Sequence, residues 1–405
     1  MRRTIAITAV LVFPFQAASP SLPENGRAAL STFLRESVAR GDAPAIAATV
    51  VSKDHVLFLD AAGKRDVAKD IPMAPDAIFR IASMTKPVTS LAAMMLYEQG
   101  KIALDDPVAK YLPEFTRRQV VATRFNDADA SFETRPAARP VTIRDLLTHT
   151  SGIGYAFSDG RLARFAASGK PDTDQPLLHD PGEKFTYGTN TWVLGKIIEA
   201  VSGQTLDVFL REKIFVPLHM GDTFYVVPSD RHDRVVTQHQ RKAGEIVELP
   251  NPAVVQSPVR GDGGLASTAT DYATFMQLFL NGGRGRSGDR RLVRDETVRL
   301  MTSNQIGALT VVEQPTADAA RSRPFPIGSG KDKFGLGFQL ETEPVVPGMR
   351  SAGSYSWGGI YNTHFWIDPQ KQIAVAVLMQ VLPYYDERCL AVLRDFERLL
   401  YLHLE

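Results

Sequence analysis

A lysine stands three positions after a serine at the mouth of an otherwise apolar helix. Residues 79–100 read FRIASMTKPVTSLAAMMLYEQG, with Ser83 and Lys86 at the start and Gly100 at the stop. This stretch constrains the chain more than any other, because lysine is seldom buried unless a partner or a reaction uses it. Pro87 lacks an amide hydrogen and is tolerated only near a helix start, so the helix begins close to Ser83. Ser83 then sits at the positive end of the helix dipole, where a developing oxyanion is stabilised. Residues i and i+3 share a face, which brings Lys86 Nζ within reach of Ser83 Oγ. A desolvated lysine loses its proton near neutral pH, and serine needs such a base to attack a carbonyl. The pattern alone is better explained by a core helix whose lysine snorkels to water, since four-residue patterns recur by chance.

Two further stretches bear on that choice. PGEKFTYGTNTWVLGKIIEAVSG puts Tyr187 in a loop just before an amphipathic helix. A lysine ammonium beside a tyrosine favours its phenolate, so the two can relay a proton; alone, Tyr187 reads rather as a capping or core aromatic. GSYSWGGIYNTHFWIDP runs from Trp357-Gly358-Gly359 into a strand in which Asn362, His364 and Trp366 alternate with Thr363, Phe365 and Ile367. Paired glycines on an edge strand let a substrate approach the backbone; the plain alternative is a β-bulge.

The rest of the chain frames these stretches. Apolar positions at helical spacing predict a helix over 24–40, and AIAATVVSKDHVLFLDAAG predicts a hairpin turning at Ser52-Lys53-Asp54. From 101 to 255, helical pieces (142–147, 190–201, 205–214) alternate with Pro- and Gly-rich loops, which predicts a mostly helical insertion. A helix at 269–280, a hairpin turning at Asp368-Pro369 and an amphipathic helix over 386–404 follow. The expected organisation is one α/β domain in two parts, 20–100 and 256–405, split by that insertion. Arg2 and Arg3, the apolar run Thr4–Phe15 and the small residues Ala17-Ala18-Ser19 predict a signal peptide over 1–19, hence a periplasmic or secreted protein. No other stretch reaches membrane length.

Composition closes off several classes. Lys+Arg total 46 against 45 Asp+Glu, so nothing suggests nucleic acid as a partner. One cysteine, Cys389, excludes Cys-cluster zinc sites and an internal disulfide. The eight histidines are scattered, so no metal is expected, and no cofactor is implied. Gly328-Ser329-Gly330-Lys331 is followed by Asp332 where a P-loop needs Ser or Thr. An α/β-hydrolase needs Gly-x-Ser-x-Gly, and the nearest stretch, Ser354–Gly358, lacks the first glycine.

In order along the chain stand Ser83-Met84-Thr85-Lys86, Leu146-Leu147-Thr148-His149-Thr150-Ser151-Gly152, Tyr187-Gly188-Thr189, Gly261-Asp262-Gly263-Gly264-Leu265 and Trp357-Gly358-Gly359. Together they resemble the serine β-lactamase and penicillin-binding-protein superfamily, in particular the class C β-lactamase-like family VIII carboxylesterases. The resemblance implies an α+β fold of the β-lactamase/transpeptidase type, an antiparallel sheet flanked by helices with an inserted mostly helical domain. It implies Ser83 as acyl-forming nucleophile, Lys86 and Tyr187 as the general base and acid pair, and the backbone amides of Ser83 and Ile360 as oxyanion hole. His149 takes a structural role. Trp357, Gly358, Gly359, Tyr155 and Thr189 are expected to bind substrate, with Phe157 also at the pocket.

Departures from the superfamily pattern bear on the substrate. Thr189 stands where penicillin-recognising members carry Asn, and Asn190 is one position late. No Lys-Thr-Gly occurs; Trp357 replaces its cation with an indole, which favours an uncharged acyl or alcohol group. A small-molecule ester is therefore the expected substrate, with hydrolysis through an acyl-enzyme. The alternatives are a β-lactamase, a D-amino-acid peptidase or amide hydrolase, an acyltransferase, or a silent penicillin-binding-like scaffold. Oligomeric state has no signature in the sequence.

Overall fold

Two apolar runs, AIAATVV and IAVAVL, lie side by side at the centre of the sheet, because both of their faces are covered. The computed structural model describes residues 19–118, 120–171, 174–251, 259–286, 290–344 and 348–405. The expected signal peptide, apart from Ser19, and the expected junction at 255 lie outside the described residues. The eight strands are β1 (Ala45–Val51), β2 (Val56–Asp66), β3 (Ile71–Pro72), β4 (Lys333–Phe334), β5 (Gln339–Leu340), β6 (Tyr355–Gly359), β7 (Thr363–Asp368) and β8 (Ile373–Leu378). Their order is β4-β5-β6-β7-β8-β1-β2-β3, antiparallel throughout. The N-terminal and C-terminal hairpins thus join through β1 and β8, with Ala47 opposite Leu378.

The principal helices are α1 (Glu24–Ala39), α2 (Thr85–Glu98), α3 (Asn190–Ser202), α4 (Ala269–Leu280) and α5 (Glu387–His403). Strand alternation sends Ile46, Ala48, Val50, Trp366, Val375 and Val377 to one face, where they cluster with α1 and α5. Asp386 caps α5 by accepting from the Cys389 amide at 3.1 Å, and Val392, Phe396 and Leu400 recur every fourth residue on its buried side. Burying each such side chain is worth about 1.5–3 kcal/mol.

Ala45, Ala47, Phe365, Ile367, Ala374 and Ala376 point to the other face, into a core shared with α2, α3 and α4. That core runs without a break from Ala45 through Leu146 and Ile197 to Phe365, so sheet and middle segment share one interior. Every residue of α2 from Thr85 to Leu96 is buried, which leaves Lys86 no path to snorkel along.

The middle segment carries helices Ile143–Leu147, Gly160–Ala167, α3 and Leu206–Leu210. It also carries two hairpins with no signature in the sequence, Val120–Asn126 with Ser131–Pro136 and His239–Lys242 with Glu245–Glu248. Trp357-Gly358-Gly359 corrects one expectation, for it is itself the end of a strand, β6, interior to the sheet, and a turn at 360–362 separates it from the expected strand, which is β7. β5 pairs only with Tyr355 and Ser356, so β6 runs past its neighbour and is an edge just at Trp357–Gly359.

Candidate active site

The chain reaches Ser83 through a strained turn. Ala82, with φ of +44°, opens a 3₁₀ turn (Ala82–Met84) that feeds directly into α2. A non-glycine residue pays for that backbone region with strain, and only a firm frame holds it there. The frame is visible: Ile81 N donates to Leu265 O at 3.0 Å, Leu265 N to Thr85 Oγ1 at 3.2 Å, and Tyr272 OH to Met84 O at 3.0 Å. The end of β6 docks on the same turn. A Cβ on Gly359 would stand 2.3 Å from Ile81 O, so only glycine lets the strand lie against the serine turn.

Lys86 is 1% exposed, and its three donors are all used. Nζ donates to Ser83 Oγ at 2.9 Å, to Tyr155 OH at 3.0 Å and to the Asp262 carbonyl at 2.6 Å. Burial pulls its pKa down to about 7; the Asp262 charge opposes the fall and Arg260 adds to it. A neutral amine next to a serine hydroxyl can therefore exist at physiological pH.

Asp262, which the sequence marks only through its motif, organises this corner. Its carboxylate accepts from Tyr155 OH at 2.6 Å and from both arms of Arg260 at 2.9 and 3.0 Å. Burial works against that carboxylate, but Lys86 and Arg260 outweigh it and hold its pKa below the usual value. Tyr155, expected to line the pocket, does so and also faces Lys86 directly. The only hint in the sequence was an acid set between glycines. A Cβ on Gly261 would lie 2.3 Å from Thr191 O, so the tight approach of this loop to α3 needs glycine.

Tyr187 hydrogen-bonds to Ser83, its ring centroid lies 4.7 Å from Lys86 Nζ, and Trp357 Nε1 approaches its hydroxyl at 3.4 Å. Burial pushes the phenol far above its ordinary range, and those two hydrogen bonds offset only part of the rise. This corrects the phenolate expectation: a buried tyrosine beside a lysine of pKa about 7 keeps its proton. Phe325, Trp357 and His149 pack around the ring, the last at 4.9 Å between centroids. Burial holds His149 neutral, and its Nδ1 meets the Asn190 side-chain amide at 2.9 Å. Asn190 is fully buried on that contact and does not line the cleft.

Ser83, Tyr155, Phe157, Tyr187, Thr189, Trp357, Gly358 and Ile360 border one cleft of about 400 Å³. Lys86 lies beneath it, and Gly359 serves the contact with Ile81 O instead. Ile360 follows the last residue of β6 and borders the same cleft as Ser83. Among the described residues no group of three or more His, Cys, Asp or Glu is placed to hold a metal ion.

A helical Ser-x-x-Lys that receives the end of an antiparallel strand is the architecture of the β-lactamase and transpeptidase serine hydrolases. The beta-lactamase family model matches residues 30–399, and the chain belongs to that family. Protein Rv1367c of Mycobacterium tuberculosis is 33% identical over 353 residues, which cover 82% of this chain and 85% of that protein. Esterase EstB of Burkholderia gladioli is 29% identical over 352 residues, covering 82% and 84%. Among solved structures, a variant of simvastatin synthase (LovD) from Aspergillus terreus superposes with a TM-score of 0.80 at 25% identity, covering 94% and 95%.

Proposed function

We propose that this serine hydrolase is a family VIII-type carboxylesterase that cleaves short- to medium-chain esters with Ser83, Lys86 and Tyr187. One observation carries the reading: Lys86, buried and with a pKa of about 7, donates to Ser83 Oγ at 2.9 Å. Neutral Lys86 takes the Ser83 proton as Oγ bonds to the ester carbonyl carbon. The carbonyl oxygen becomes an oxyanion held by the amides of Ser83 and Ile360, where one donor is worth roughly 3 kcal/mol. The C–O bond breaks, and the departing alcohol oxygen takes a proton from the Tyr187–Lys86 pair. Water then gives a proton to the same pair, attacks the acyl carbon and releases the acid, and Ser83 regains its hydrogen.

The absence of a Lys-Thr-Gly in the sequence and the turning of Asn190 toward His149 support an ester over a β-lactam. Hydrolysis of 4-nitrophenyl acyl esters of increasing length tests the reading, and turnover of a chromogenic β-lactam at a comparable rate contradicts it. Residues 1–19 we propose to be an export signal, checked by N-terminal sequencing of the mature chain.

A further inference from the structure

The cleft carries charge that the acyl transfer does not use. Three arginines line it, Arg80, Arg260 and Arg321, against one carboxylate, Asp262. Asp262 is engaged by Arg260 through two contacts and by Tyr155. The guanidinium of Arg80 is fixed by donation to Val236 O at 3.2 Å.

Arg321 differs from both. It is exposed, and its guanidinium carbon lies 5.7 Å from the centroid of Phe157 on the cleft wall. Asp318, three residues earlier, turns its carboxylate to the Ala320 amide at 3.1 Å. Among the described residues no ion pair joins Arg321 to an acid. Its backbone is held, with Arg321 N donating to Asp318 O at 3.0 Å and Tyr384 N donating to Arg321 O at 2.9 Å. Tyr361, next to Ile360, ties this arginine to Arg80: burial raises its phenol, and both guanidiniums oppose the rise. Arg80 and Arg321 therefore both act at Tyr361, which borders the cleft next to Ile360.

We propose that the enzyme prefers esters whose acyl or alcohol part carries a carboxylate, held by Arg321 with Arg80 and Tyr361 behind it. The proposal deepens the ester-hydrolase reading and rests on it. A guanidinium meets a carboxylate through two parallel N–H···O bonds, and a rim of one sign also steers an anion inward. Trp357 then covers the apolar middle of the substrate, while the charge sits farther along the cleft.

Two matched pairs of probes test this on the full chain. 4-Nitrophenyl hexanoate against mono-4-nitrophenyl adipate places the carboxylate on the acyl side. Phenyl butyrate against 3-carboxyphenyl butyrate places it on the alcohol side. In one pair the anionic ester should have the higher kcat/KM by about tenfold, the size expected of one hydrogen-bonded charge pair. Rising ionic strength should erode that ratio, and Arg321→Glu should invert it. Equal kcat/KM within both pairs, or a preference that survives Arg321→Glu, overturns the proposal alone. Failure to turn over even the neutral esters overturns the ester-hydrolase reading, and this proposal with it.

Discussion

Lys86 Nζ meets the backbone carbonyl of Asp262 at 2.6 Å while the Asp262 carboxylate points away, to Tyr155 and Arg260. One residue thus fixes the lysine with its main chain and tunes it with its side-chain charge. Burial lowers the Lys86 pKa, Asp262 raises it and Arg260 lowers it.

The pH profile follows from those signs. Activity should rise with pH through an apparent pKa near 7 in kcat/KM, as Lys86 loses its proton. Asp262→Asn removes the charge that opposes the fall, so this limb should move to lower pH. Arg260→Gln should move it to higher pH. Coincident limbs in the three proteins contradict the assignment of Lys86 as the titrating base.

Lys86→Met should abolish acylation and leave a folded protein. Its folded pKa of about 7 lies below the unfolded 10.5, so the unfolded chain binds the extra proton between those values. Wild-type stability should therefore gain with rising pH across that window, by roughly 5 kcal/mol at most for this group. The variant has no such term. Its stability relative to wild type should be highest at pH 7 and below, and should decline toward pH 10. Urea melts at several pH values check the trend; a difference independent of pH argues against a depressed Lys86.

Tyr187→Phe keeps the ring that packs on His149 and Trp357 and removes only the hydroxyl. Loss of a positioned proton donor should lower kcat by about 10²–10⁴ with little change in Tm. Tyr155→Phe should cost less, because that hydroxyl orients Lys86 and stands beside Asp262. The reverse ranking of kcat would exchange the two tyrosines' roles.

Gly359→Ala puts a methyl 2.3 Å from Ile81 O, where strand backbone meets strained turn and neither can yield cheaply. Overpacking of this kind costs about 1–3 kcal/mol. Both Tm and kcat/KM should fall, since the displaced turn carries Ser83 and the displaced strand end precedes Ile360. Wild-type rates from this variant would separate the strand end from the oxyanion site.

The parts legible in the sequence were those with local periodicity. The Ser83–Lys86 spacing, the hairpins around Ser52 and Asp368, and the last helix follow from i,i+3 faces, alternation and turn residues within a few positions. The hairpin from Val120 to Pro136 did not, because Arg124, Glu133, Thr134 and Arg135 face solvent and leave no apolar alternation. Nor did the function of Asp262, which lies 176 residues from Lys86 and meets it only through the fold. The proton on Tyr187 depended on burial, which no local pattern around it encodes.

Ser83 as the acylated residue is tested most directly by mass spectrometry of protein quenched in acid seconds after mixing with 4-nitrophenyl butyrate. A mass gain of one butyryl group should appear on the peptide containing Ser83, and neither this adduct nor nitrophenol release should survive in Ser83→Ala. An adduct on another residue, or undiminished turnover by folded Ser83→Ala protein, contradicts the mechanism.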